Sequence, residues 1–183
     1  MKLLPIKLIA LLVWLLFSTS GNASDFDVRE YSLKAVFLER FTRFIDWPAT
    51  DTPENQMEPF VVSVIGNPQF ADLLREIYQT QKIQGKKVIV QEPDSISDVK
   101  NAHLLFISQD TKKELKKILE QARQSAVLTV SDSDGYAEQG VMINFFMSKK
   151  QKIRFEINEL AIKESKLYIS YKLLSVAKIV GGK

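Results

Sequence analysis

The run Val141-Met142-Ile143-Asn144-Phe145-Phe146-Met147 is apolar at nearly every position. Successive side chains of a strand point to opposite faces, so a strand built from this run needs cover on both. Such strands belong to sheets buried between two layers, not to sheets with one wet face. The next run, Ile153-Arg154-Phe155-Glu156-Ile157-Asn158, alternates instead: Ile153, Phe155 and Ile157 fall on one side, Arg154, Glu156 and Asn158 on the other. A Lys-rich turn separates the two runs and predicts an antiparallel hairpin. Upstream, Ala126–Ser131 reads as another strand, joined to the hairpin through the turn residues Ser133-Asp134-Gly135.

The rest of the chain supplies the covering layers. From Asp25 to Trp47, Leu33, Phe37, Phe41 and Phe44/Ile45 recur at helical spacing, with Tyr31, Ala35 and Leu38 beside them and Lys34, Glu39, Arg40 and Arg43 elsewhere. Asp27 and Glu30 have capping-box spacing, and the helix is expected to stop at Trp47-Pro48. Phe60–Ile65 is a strand ended by Gly66. Asn67-Pro68 then opens a helix carrying Phe70, Leu73, Leu74, Ile77 and Tyr78. With a second strand at Lys87–Gln91 this makes a βαβ unit. Ala102–Ser108 is a third strand. Asp110 is placed as the cap of a helix over Thr111–Gln124, with Leu115, Ile118, Leu119 and Ala122 inward and Lys112, Lys113, Lys116 and Lys117 on a solvated face. Asn158 caps a helix through Ser165, and Ser170 caps a last helix to Val180. The sum is an α/β fold: a single three-layer domain with a mixed, mostly parallel sheet, helices on both faces and a C-terminal antiparallel hairpin.

Two features bound where such a domain works. Lys2 and Lys7, the apolar run Leu8–Phe17 and the small polar stretch Ser18–Ala23 form a cleavable signal peptide over residues 1–23, leaving a domain over residues 24–183. The net charge of +3 loses two lysines with that leader, so it gives little support to a nucleic-acid partner. An exported protein can form disulfides, but this one has no cysteine.

Chemistry is harder to find. Asp132-Ser133-Asp134-Gly135 resembles a calcium loop, but with Gly135 as the sixth position the first and twelfth are Val130 and Val141, where carboxylates are required. An Asx-type turn with Gly135 at positive φ is the simpler reading. The neighbourhood of Thr129, Ser131, Asp132 and Gly135 is also a candidate small-ligand site, because open α/β sheets bind at the carboxyl ends of their strands. His103, the one histidine, lies in an apolar strand and is read as packed, not as a metal ligand or triad member. No dinucleotide fingerprint, P-loop or nucleophile elbow occurs, and no cofactor is implied. Glu156 either pairs with a basic neighbour or joins Phe145, Leu160 and Ile162 in a protein-binding patch.

The ordered set of motifs resembles the YfiR family of small periplasmic proteins. It comprises Tyr31-Ser32-Leu33-Lys34-Ala35-Val36-Phe37-Leu38 running into Phe44-Ile45-Asp46-Trp47-Pro48, then Val64-Ile65-Gly66 and Ile83-Gln84-Gly85-Lys86. His103–Ser108, Val127–Asp132, Ile153–Asn158 and Leu167-Tyr168-Ile169-Ser170 with Leu173-Leu174 complete it. The resemblance implies a non-enzymatic regulator that binds the periplasmic part of an inner-membrane diguanylate cyclase, or another membrane sensor, and holds it inactive. It places partner contacts at Phe145, Glu156 and Ile162. Family members often carry cysteines, one commonly just before the third strand; Ala102 stands in that neighbourhood, so disulfide-based switching is excluded here. A homodimer through apolar helix faces is expected. The competing readings are a small-molecule-binding module and a hydrolase whose carboxylates cannot be paired from sequence.

Overall fold

Four runs rich in β-branched and apolar residues assemble the parallel part of the sheet. In the computed structural model, which describes residues 23–48 and 58–182, they are β2 (Phe60–Ile65), β3 (Val88–Gln91), β4 (Leu104–Ile107) and β5 (Leu128–Ser131). β6 (Ile143–Met147) joins them in parallel, β7 (Ile153–Asn158) pairs antiparallel with β6, and β9 (Lys178–Val180) pairs parallel with β7. The sheet order is β3-β2-β4-β5-β6-β7-β9. A separate two-stranded ribbon joins β1 (Ile45–Asp46) to β8 (Tyr168–Ile169). The helices are α1 (Ala23–Thr42), α2 (Pro68–Tyr78), α3 (Leu115–Gln124), α4 (Glu159–Lys163) and α5 (Tyr171–Leu174).

Alternation along the strands splits the interior in two. Val62, Val64, Leu104, Phe106, Val130, Ile143, Phe145 and Ile157 face α1, α2 and the C-terminal helices. Leu105 and Ile107 face the other way, toward Leu115, Ile118, Leu119 and Ala122 of α3 and Tyr136 of the β5–β6 connection. Phe41 of α1 stacks on Phe145 with ring centroids 5.6 Å apart and meets Phe155 edge-on at 4.9 Å. The three-layer expectation holds. The turn at the end of β2 needs its glycine: Gly66 has φ +77°, and a Cβ there would lie 3.1 Å from Thr111 and 3.2 Å from Ser108.

Local caps read from sequence are present: Asn67 accepts from the Phe70 N–H at 2.9 Å, and Asn158 from the Ala161 N–H at 2.8 Å. Four boundaries differ. α1 is already helical at Ala23, the first described residue, so Asp27 lies inside it and does not start it. It ends at Thr42, not Trp47, because Ile45 and Asp46 pair with Ile169 and Tyr168, and the Phe44 carbonyl accepts from the Ser170 N–H at 2.8 Å. α3 begins at Leu115, after a 3-10 turn at Gln109–Thr111 in which the Thr111 hydroxyl bonds the Ser108 carbonyl at 2.6 Å; Asp110 lies in that turn and caps nothing. The last helix stops at Leu174 instead of Val180, since Lys178–Val180 find an open ladder on β7 and two of the three are β-branched. The hairpin is therefore not the sheet edge; β9 is. The proposed signal peptide falls on residues 1–23, nearly all outside the described residues.

The inward stripe of α1 is also displaced from its sequence reading. Lys34, Ala35, Leu38, Phe41 and Thr42 are buried, while Leu33 is 46% exposed. Phe41→Ala is expected to cost about 3–5 kcal/mol of unfolding free energy, whereas Leu33→Ala is expected to stay within about 0.5 kcal/mol; urea denaturation of the two variants distinguishes the buried from the exposed position.

Candidate functional site

α1 crosses the carboxyl end of β5, which brings residues far apart in the chain together. The Lys34 ammonium lies 2.6 Å from Glu30 Oε1 and 2.6 Å from Asp132 Oδ2, and 4.3 Å above the Tyr31 ring. Lys34 is 4% exposed. A cation so deeply buried needs charged partners, and the two carboxylates supply them with one negative charge left over. These groups, with Asp134, form the polar wall of a cleft of about 370 Å³ whose apolar wall is Phe145, Phe146, Met147 and Ile153.

The four candidate ligand residues divide. Thr129 Oγ1 accepts from the Met142 N–H at 3.0 Å. Ser131 Oγ donates to the Ile107 carbonyl at 2.7 Å and accepts from the Ser133 N–H at 3.2 Å. Both hydroxyls are buried and serve the backbone. Gly135 adopts φ +76°, as a turn glycine does, with its carbonyl bonded to the Gln139 side chain at 3.0 Å. Asp132 alone lines the cleft. Sequence reasoning missed Glu30 and Lys34; a lysine in the middle of an apolar helical stretch was the available signal.

The three candidate partner residues are not brought together. Phe145 is 2% exposed and lies among Phe37, Phe41 and Phe155 on the α1 side of the sheet. Glu156, 5% exposed, is in register with Asn144, one position on from the Phe145–Phe155 pair, so it points to the opposite face. Its carboxylate meets Lys178 at 2.8 Å and holds that ammonium above the ordinary lysine range, first through the hydrogen bond. The Asn144 amide approaches the other carboxylate oxygen at 3.4 Å. The simpler sequence reading of Glu156, pairing with a lysine, matches this arrangement. Ile162 is buried on the Phe145 side and lines a third depression with Leu167 and Leu174.

Exposed apolar surface lies instead along the outside of α1. Leu33 and Phe37, with Met147 and Ile153 of the hairpin, line an open groove of about 510 Å³ rimmed by Arg29, Glu30, Gln151 and Lys152. Met147 is 41% exposed. Among the described residues no group of three or more His, Asp and Glu side chains is placed to hold a metal.

His103 sits beside the sheet, just before β4. Its Nδ1 accepts from the Val61 N–H at 3.0 Å and its ring stacks on Phe60 at 4.8 Å. Burial first, then the Lys86 ammonium, hold its pKa below the ordinary 6.5, with Glu58 opposing. A group protonated more readily in the unfolded chain contributes stability that is complete above its unfolded pKa and is lost as pH falls. Thermal midpoints are therefore expected to fall as pH drops below about 6.5, and His103→Asn, which keeps an acceptor for Val61, is expected to flatten the curve between about pH 5 and 6.5. Lys34→Met strands two partly buried carboxylates and is expected to cost about 3 kcal/mol in urea denaturation.

Comparison with known proteins adds the family. The sequence model described as YfiR/HmsC-like matches residues 31–178. No curated protein sequence matches the chain. Among solved structures, a conserved domain protein from Vibrio cholerae O1 biovar El Tor is similar at 13% identity and TM-score 0.50, over 65% of this chain and 54% of that one. An ABC domain from Streptococcus pneumoniae in complex with L-Trp is similar at 7% identity and TM-score 0.46, over 78% of this chain and 60% of that one. At such identities the first shows a shared fold and nothing about activity; the second supports no inference.

Proposed function

The chain belongs to the YfiR/HmsC-like family, whose members are non-catalytic periplasmic regulators, and from that premise we propose that it binds and inhibits the periplasmic sensor domain of an inner-membrane signalling protein, a diguanylate cyclase. Binding would lower cyclic di-GMP and with it biofilm formation. The observation that carries the reading is the groove along α1, where Leu33 and Met147 leave apolar surface uncovered beside the hairpin. Exposed apolar surface rimmed by charged residues is what a protein partner covers. Phe145 supports this surface from beneath through its contacts with Phe37 and Phe41.

A second role for the same end of the molecule is favoured by shared walls. Glu30, Met147 and Ile153 line both the Lys34–Asp132 cleft and the groove. A small signal entering the cleft would act on residues that also form the docking surface. With no cysteine in the chain, release by such a signal would not be by disulfide exchange, and the charged lining of the cleft makes it electrostatic.

Deletion of the protein in its native cell is expected to raise cyclic di-GMP, and the wild-type chain to restore it. Leu33→Asp combined with Met147→Asp is expected to leave the thermal midpoint nearly unchanged, because both positions are exposed, yet to fail to restore repression or to capture a membrane sensor by cross-linking. Full complementation by the double variant would remove the groove from the mechanism; unchanged cyclic di-GMP on deletion would remove the cyclase.

A further inference from the structure

Residues 160–183 carry five lysines against one glutamate, an excess larger than the +3 of the whole chain. The same stretch holds Leu160, Tyr168, Tyr171, Val176 and Ile179, half of the large apolar side chains that stand exposed among the described residues. Tyr168 is 73% and Tyr171 80% exposed. On the turn of α5, Leu173 is buried while Tyr171 and Lys172 face out, with Ser175 and Val176 exposed one turn later. Just upstream, Lys163 and Lys166, with Glu159, rim a depression of about 400 Å³ floored by Ile162, Leu167 and Leu174. Lys163 meets Glu159 at 3.4 Å and Lys178 meets Glu156 at 2.8 Å; neither Lys166 nor Lys172 ion-pairs with a carboxylate among the described residues.

The stretch from Lys112 through α3 provides the contrast. Lys112, Lys113, Lys116 and Lys117 make it basic too, but no large exposed apolar side chain accompanies them. That face is an ordinary solvated one. The C-terminal surface instead combines unpaired ammonium groups, exposed phenol rings and an apolar depression whose rim carries two lysines and one glutamate. An acidic peptide would satisfy the charges but leaves the apolar floor and rings without a role. A phospholipid satisfies all three: its phosphate meets the lysines, the tyrosine rings sit at headgroup level, and its glycerol and upper acyl segment cover the floor.

We propose that this surface, centred on Lys166, Tyr168, Tyr171 and Lys172, docks the protein on an anionic phospholipid bilayer. The docking is peripheral, electrostatically assisted and separate from the α1 groove. Each lysine near an anionic bilayer strengthens binding about fivefold, and salt screens it.

The test is co-sedimentation of the purified protein with phosphatidylcholine vesicles with and without phosphatidylglycerol, at low and high salt. Binding is expected only with phosphatidylglycerol and to weaken with salt. Lys166→Glu with Lys172→Glu is expected to weaken it by about tenfold or more, and Tyr168→Ser with Tyr171→Ser to weaken it without altering thermal melting. Lys112→Glu with Lys116→Glu is expected to leave it within about twofold. Equal binding to both vesicles, no binding to either, or equal loss from the Lys112/Lys116 variant overturns the proposal. So does a C-terminal variant that loses capture of a membrane protein while the wild type ignores vesicles, which would assign the surface to a protein partner.

Discussion

The aromatic contact between α1 and the β6–β7 hairpin holds the two halves of this domain to one another. Phe37 and Phe41 touch both Phe145 and Phe155, with ring centroids between 4.9 and 6.1 Å apart. At its other end α1 reaches the parallel half, where Tyr31 lies 4.9 Å from Phe70 and Phe70 lies 4.7 Å from Phe106. One helix therefore bridges α2 and the hairpin. Aromatic pairs contribute about 0.5–1.5 kcal/mol each beyond the area they bury, so this chain of rings forms a substantial share of a marginal total. The position of α1 then sets the cleft, because Lys34 reaches Asp132 only while the rings hold the helix across β5.

What the sequence could reveal depended on range. Asn67 and Asn158 were legible as caps because the donor each satisfies lies three residues away. Strands were legible because alternation is a local pattern: Ile153, Phe155 and Ile157 on one face and Glu156 on the other follow from counting. The burial of Lys34 was legible only in part: its apolar helical surroundings and Glu30 four residues before it are local, but its partner Asp132 lies 98 positions on. β9 was not legible. Lys178-Ile179-Val180 continues a plausible helical stripe from Leu173 and Leu174, and only the free edge of β7 draws it into the sheet. The end of α1 was misplaced for the same reason, because Ile45 and Asp46 are claimed by Ile169 and Tyr168.

The separation of Phe145 from Glu156 bears on how buried residues influence binding. Register pairs Phe145 with Phe155 and Asn144 with Glu156, so the sheet lies between the two side chains and no partner touches both. Each can still govern a surface. Phe145 supports the rings beneath the α1 groove. Glu156 fixes Lys178, and so β9 and the residues leading into it from α5. Truncating either would act through the geometry of its element, on opposite sides of the domain, and the two effects would be independent to the extent that their contacts do not overlap.

Two ion pairs add long-range ties to those of the core and the sheet. Lys34–Asp132 and Lys178–Glu156 join positions 98 and 22 residues apart, each with one member almost wholly buried. Like disulfides they close loops, but they open by a different route. A thiol exchange opens a disulfide, whereas an ion pair yields to a competing charge. Asp132 and Lys34 line a cleft open to solvent, so a competing cation can reach Asp132 and an anion can reach Lys34. Either would loosen the middle of α1, which carries Leu33 and one wall of the groove. Any coupling from cleft to groove would require no movement of the sheet, only a shift of α1 against its remaining contacts, the Tyr31–Phe70 rings and buried Ala35 and Leu38.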